Sequence, residues 1–308
     1  DVQFKKYSMK LISKEILLRM GKKIIFNEKL SKYSWFNLGG PSEVFFKPET
    51  LDDLVFFLKE TKFEKINILG AGSNTLIRDG GVKGVTVKLS PKFSYLNFIS
   101  PNIIEAGAAT LDKKIADFAI EHSLTGLEFL SCIPGSIGGS IKMNSGCYGS
   151  DISQALHSIK IIDTHGKEKN ILASDIKFNY RSSSLDDNSI ITSARLYGSL
   201  GNRDEIQKKQ KSLIEEKKNA QPSQIKTGGS TFKNTLNKKA WKLIEESNCQ
   251  KFQVGSAKMS EKHYNFFVND GNTTAKELED LINKVKDEVH KKTKINLELE
   301  IKIIGYNN

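Results

Sequence analysis

Cysteine is scarce: three residues in 308, Cys132, Cys147 and Cys249, with no CxxC pair and an odd count. That excludes a disulfide framework and favours a reducing compartment with free thiols. Six prolines, no low-complexity tract and no internal repeat remove the disordered, collagen-like and solenoid classes. No apolar run approaches the roughly 20 residues that a membrane span needs. The stretch DVQFKKYSMKLISKEILLRMGKK (1–23) alternates charge with apolar residues, so it reads as neither a secretory segment nor an anchor. Because the chain starts at Asp1 rather than Met, its first few residues are expected to reflect cloning or truncation. HExxH, EF-hand and clustered Cys/His spacings are all missing, so no dedicated metal site is expected.

What is present is a folded chain, 38% apolar and 27% charged, with 47 Lys+Arg against 36 Asp+Glu for a net charge of +11. A lysine-rich solvated surface accounts for that surplus, and an acidic or phosphorylated ligand is the stronger functional partner. The lysines are spread over patterns such as 205–218 rather than interleaved with aromatics, which makes nucleic acid the weaker one. Strand-like runs are expected at 42–48, 65–71, 84–90, 102–108, 158–164, 189–198, 264–269 and 295–305. Helical patterns fall at 50–60, 111–122, 203–218, 238–247 and 274–292. The last is the clearest, with Thr274 and Glu277 as a capping box before an apolar stripe, Leu278, Leu281, Ile282, Val285 and Val289. Mixed elements of this kind predict an α+β chain of several small domains. The charged helix before Pro222 reads as the link into the last one.

Two glycine-rich stretches stand out. ILGAGSNTLIRDGG (68–81) puts a Gly-x-Gly turn after a strand, where backbone N–H groups can approach a pyrophosphate. Thr75 occupies the third position of GxGxxG, so a Rossmann reading fails, and no GxxxxGK[ST] supplies a P-loop. PGSIGGSIKMNSGCYG (134–149) is the second. Together they predict an anionic cofactor held between two loops.

These stretches, with WFNLGGPSEVFFKP (35–48), GLEFLSCIPGSIGGSIKMNSGCYG (126–149), FNYRSSS (178–184), GGSTFKN (228–234), SEKHYNFFVN (260–269) and LELEIKIIG (297–305), run in order across nearly the whole chain. The chain thereby resembles the UDP-N-acetylenolpyruvoylglucosamine reductases (MurB), flavoenzymes of peptidoglycan synthesis. Only 48 residues separate Arg181 from Ser230, an interval without the extra tyrosine-bearing loop of type I, so the resemblance is to type II. It implies three domains: 1–90 with the C-terminal strand 298–308, and 91–203, forming a two-part FAD-binding region of the PCMH/VAO type, then 204–297 as an α+β substrate domain. It implies FAD contacts at Gly70, Ala71, Gly72, Ser73, Asn74, Pro134, Gly135, Ser136, Gly138, Gly139 and Asn144. Gly135, Gly138 and Gly139 are expected where a Cβ would strike the cofactor or force a disallowed φ. The five histidines are dispersed and none lies in 31–80, which excludes a histidyl-flavin bond in the first loop, so FAD should be non-covalent.

The same resemblance implies Ser230 as proton donor, with Arg181 and Glu300 polarising the substrate carboxylate and steadying an enolate. By alternation alone Glu300 would face solvent. Tyr180, Lys218, Lys233, Asn234 and His263 are weaker substrate-side candidates. Cys132, Asn37, Thr235 and Ala220 depart from the family's usual residues, and none touches the catalytic trio. NADPH is the expected hydride donor and a UDP-sugar enolpyruvyl ether the substrate, in a cytoplasmic bacterial monomer without nucleic-acid or membrane partners. Two rivals remain: a sugar or lactone oxidase of similar fold, and a non-enzymatic nucleic-acid-binding protein suggested only by the net charge.

Overall fold

The structure, a computed structural model, describes residues 12–61, 63 and 65–307. Residues 1–11 of the amino-terminal stretch lie outside them. The described chain divides into two compact units. The first comprises residues up to 27, 43–71 and 84–216, and the second 28–42, 72–83 and 217 onward.

The first unit holds two sheets. Strands Ile24–Lys29, Pro41–Phe46, Val82–Val87 and Ile66–Ile68 lie side by side in that order, the last pair parallel. Helix Leu51–Glu60 covers them. Thr50 caps it through a reciprocal bond with Asp53, and Phe57 stacks on Phe46 with ring centroids 3.9 Å apart. The second sheet is antiparallel, in the order Glu168–Leu172, Leu156–Ile162, Ile190–Tyr197, Ile103–Gly107, Leu96–Ser100. Helices Asp112–Glu121 and Ile137–Met143 pack on it through Ile115, Ile137 and Ile141, all 0% exposed.

One element departs from the sequence reading. Glycine and serine content predicts an open loop over 135–144, yet Ile137–Met143 is helical. Gly138 and Gly139 weaken a helix by roughly 1 kcal/mol each relative to alanine. Ile137 and Ile141, one turn apart on the buried face, outweigh that through burial worth about 1.5–3 kcal/mol each.

The second unit gathers an antiparallel sheet (Gln253–Val254, Ala257–Ser260, His263–Val268) with helices Ala240–Glu246 and Ala275–Thr293. The capping box at Thr274 and Glu277 and the stripe from Leu278 to Val289 are present as expected. Phe36, Leu38 and Leu76 join that core although they come from the chain's first quarter. The expected strand 295–305 is broken. Leu299 bridges Phe232, then Lys302–Ile304 pairs in parallel with Thr75–Ile77. Among the described residues no helix is long and apolar enough to cross a membrane.

Candidate active site

In the first unit Gly70 approaches the second glycine stretch. A Cβ placed on Gly70 would lie 3.0 Å from Ser136 Oγ and 4.0 Å from Gly139 Cα. Gly139 is exposed, and its own Cβ would meet only Ser136 Oγ, at 4.0 Å. Neither Gly135, Gly138 nor Gly139 has a positive φ. Protein atoms close two of them, since a Cβ on Gly135 would stand 2.9 Å from Asp112 Oδ2 and one on Gly138 3.1 Å from Ala108 Cβ. Gly139 alone faces open space. The backbone N–H groups of Ala71, Gly72, Ser73 and Asn74 donate to no protein acceptor among the described residues. Four consecutive donors of this kind suit an oxyanion-rich group, and FAD's pyrophosphate fits them.

Asp112 lies under this helix. It is fully buried, its N–H donates to the Gly135 carbonyl at 3.1 Å, and Oδ2 accepts from Ser140 Oγ at 2.5 Å. Oδ1 has no partner. Burial pushes its carboxyl up to about 7, with the Ser140 bond acting the other way. The folded chain therefore holds a proton that the unfolded chain has released, so stability falls as pH rises from about 4 to about 7 and stays reduced above. Asp112→Asn removes that loss. It should stabilise the protein by about 2–4 kcal/mol at pH 8 and far less at pH 4.5. Urea midpoints at both pH values test this, and an equal gain at both would contradict it.

The Asn144 side chain, 3% exposed, ties this region to the next one. Its Nδ2 donates to the Asn179 carbonyl at 3.1 Å and its Oδ1 accepts from the Ser153 N–H at 3.0 Å. Asn179 opens a hairpin, Phe178–Asn179 paired with Ser182–Ser183, whose two turn residues are Tyr180 and Arg181. Arg181 has φ 58°, a left-handed conformation costing a non-glycine residue about 1–3 kcal/mol. Its Nη2 donates to the Gly146 carbonyl at 2.7 Å, and its guanidinium lies over the exposed Tyr180 ring, 4.8 Å from the centroid. Ser183 Oγ donates to the Lys142 carbonyl at 2.9 Å. Glycine helix and arginine turn thus form one braced piece.

In the second unit Gly229, φ 78°, precedes Ser230, and a Cβ on Gly228 would come within 2.3 Å of the Phe36 ring. Ser230 bridges Phe266, and the Thr231 N–H donates to the Asn265 carbonyl at 2.8 Å. On the other side the Glu300 N–H donates to the Thr231 carbonyl at 2.8 Å. Ser230 and Glu300 therefore occupy neighbouring backbone segments. The break at Glu300 has a cause: the chain leaves Thr231 and joins Asn74, whose carbonyl accepts from the Lys302 N–H at 2.9 Å. Asn74 Nδ2 also donates to the Glu300 carbonyl at 3.0 Å. Glu300 is half-buried rather than solvent-facing, because alternation stops where the strand bends.

Sequence reasoning missed Asn265. Buried at 2% exposure, it accepts from the Phe232 N–H at 2.9 Å and donates to the Phe232 carbonyl at 2.8 Å, standing in for a strand neighbour. Asn234 Oδ1 accepts from the Ala240 N–H at 3.0 Å, which ties it to the start of a helix. Lys233 Nζ lies 3.4 Å from the Glu298 carboxylate. The His263 ring packs 4.7 Å from Phe266, and burial lowers its pKa. Lys218 is exposed, its carbonyl accepting from Lys262 Nζ at 2.7 Å. Pro134 is exposed as well.

Two family models match the chain, one described as FAD binding domain over residues 42–171 and one as UDP-N-acetylenolpyruvoylglucosamine reductase, C-terminal domain, over 221–304. The chain is 46% identical to the UDP-N-acetylenolpyruvoylglucosamine reductase of Pelagibacter ubique, covering 92% of this chain and 95% of that one. It is 43% identical to the enzyme of the same name from Anaplasma marginale, covering 90% and 92%. The crystal structure of the Thermus caldophilus reductase superposes with a TM-score of 0.80 at 29% identity, over 92% of this chain and 98% of that one. With both models in order and relatives of one name matched nearly end to end, the chain belongs to the UDP-N-acetylenolpyruvoylglucosamine reductases, FAD-dependent oxidoreductases that reduce the enolpyruvyl ether of a UDP-sugar in peptidoglycan precursor synthesis.

Proposed function

We propose that Ser230, Arg181 and Glu300 carry this reduction, with NADPH as the source of reducing equivalents. FAD, when bound, supplies hydride transfer from the nicotinamide to the methylene carbon of the enol ether. The chain's own residues supply the rest. The Ser230 hydroxyl gives a proton to the neighbouring carbon. A serine is a very weak acid, so it suits a strongly basic carbanion. The Arg181 fork matches the substrate carboxylate bidentately, and Glu300 steadies charge beside it. The observation that carries the assignment is the Glu300–Thr231 hydrogen bond, which sets Glu300 beside the segment bearing Ser230. Lowered basicity keeps His263 neutral at pH 7, a neutral donor or acceptor for the substrate with Tyr180, Lys218, Lys233 and Asn234.

The orphan N–H run of 71–74 and the exposed Gly139 support FAD contacts over Gly70–Asn74 and Pro134–Asn144. The three-part division, 1–90 with 298–308, 91–203 and 204–297, stands with this reading, the last part taking the UDP-sugar. So does a cytoplasmic monomer serving wall growth, cell shape and division, with nucleic acid and membrane playing no part.

The test begins with colour. Heat or acid should release yellow FAD into the supernatant, and NADPH should bleach the intact protein until the enolpyruvyl ether restores its absorbance. Colour staying with the precipitate would refute non-covalent binding. Oxygen consumption with a simple sugar and no response to NADPH would favour an oxidase.

A further inference from the structure

Lys88 is a cation that nothing above employs. It follows strand Val82–Val87, and its N–H donates to the Phe46 carbonyl at 3.0 Å. The neighbouring Val87 carbonyl accepts from the Leu69 N–H at 2.9 Å, so the end of this strand and the start of the first glycine turn are held together. From there Lys88 Nζ donates to the Gly70 carbonyl. In a planar trans peptide C=O and N–H point in opposite directions. Pinning the Gly70 carbonyl toward Lys88 therefore turns the Ala71 N–H away from it, as the first of the four donors without protein acceptors.

We propose that Lys88 is the electrostatic anchor of the FAD pyrophosphate, orienting the Ala71 N–H through the Gly70 carbonyl and placing a positive charge behind it. This rests on the reading that the Gly70–Asn74 turn holds the pyrophosphate. Partial burial is unfavourable for a lysine, and the Gly70 carbonyl offsets part of that cost. Burial, and then the like charge of Lys47, hold its ammonium down to about 8. Lys47 faces it from the end of strand Pro41–Phe46. Lys23, whose carbonyl accepts from the Lys47 N–H, is itself paired with Asp53 at 2.7 Å. The turn 69–74 carries no titratable side chain.

An anion bound near this ammonium favours its protonated form, and by reciprocity the protonated form favours the anion. FAD affinity should therefore fall as pH rises through the value for the cofactor-free chain. Measured by diluting the full-length holoenzyme and following released FAD fluorescence, Kd should rise about 5- to 8-fold between pH 7.5 and 9. Lys88→Arg stays charged throughout, so it should bind FAD within about twofold of wild type at pH 7.5 and lose the pH slope. Lys88→Gln should bind at least about tenfold more weakly at pH 7.5, also without slope. Wild-type affinity and slope in Lys88→Gln, or an undiminished slope in Lys88→Arg, would overturn the proposal. Gly70→Val separates the foundation from the inference: full FAD affinity there removes the turn itself as the pyrophosphate site. Loss of FAD in Gly70→Val beside an unaltered Lys88→Gln removes only the lysine.

Discussion

Ser230→Ala should leave FAD content and reduction by NADPH near wild type while slowing reoxidation by the enolpyruvyl ether roughly 10²–10⁴-fold, the usual effect of removing a positioned proton donor. The substitution deletes one oxygen. Strand pairing of this segment runs through backbone atoms, Thr231 N–H to Asn265 and Thr231 C=O from Glu300, and alanine retains all of it. The two halves of the cycle differ in what they need. Reduction by the nicotinamide never meets the enol ether, so a missing hydroxyl cannot slow it directly. Stopped-flow absorbance near 450 nm separates them. Equal slowing of both halves would indicate altered packing or binding, and an undisturbed second half would remove Ser230 as the acid.

Two glycines should respond in opposite senses to the same added methyl group. Gly72 has φ 72°, and a Cβ there would lie 1.8 Å from the Tyr33 carbonyl oxygen and 2.9 Å from its carbon. The Gly72 carbonyl also accepts from the Trp35 N–H at 3.0 Å, so the 33–35 turn cannot retreat without losing that bond. Left-handed alanine costs about 1–2 kcal/mol and the displaced turn about 1–3 more. Gly72→Ala should therefore lower the unfolding free energy by about 2–5 kcal/mol without FAD, and weaken FAD binding at least about 100-fold through lost geometry, which adds about 2.7 kcal/mol or more to the loss at saturating FAD. Gly139→Ala meets open space within a helix, where alanine is worth about 0.5–1 kcal/mol over glycine. It should stabilise the cofactor-free protein while weakening FAD at least about tenfold. Thermal unfolding with and without added FAD measures both terms. Wild-type FAD affinity in Gly139→Ala would move the flavin away from that helix.

The sequence was most legible where a local rule governed. Helix Ala275–Thr293 follows from its capping box and stripe, because hydrogen bonds between residues three and four apart and one apolar face decide it. The glycine turn after Ile66–Ile68 was equally visible. The helix at Ile137–Met143 was not, since its stabilisation comes from Ile137 and Ile141 packing on a sheet that local composition does not reveal. Alternation alone turns Glu300 to solvent because it presumes an unbroken strand, and the bend depends on Asn74, 226 residues away. Asn265 and Asp112 had no signal at all. Each matters for a partner 33 and 28 residues distant, Phe232 and Ser140, and nothing in the intervening spacing marks the pairing.

The second unit's core also sets a timetable for synthesis. Phe36, Leu38 and Leu76 leave the ribosome early, but the residues that bury them begin at Phe232 and end at Ile301. From Leu76 to Phe232 is 156 residues, a wait of about 8–30 s at 5–20 residues per second. During that interval those three side chains have no native core to enter, whereas the first unit's five-stranded sheet is complete once Tyr197 has emerged. The nascent chain would thus carry these apolar side chains unburied until Phe232–Ile301 has been made.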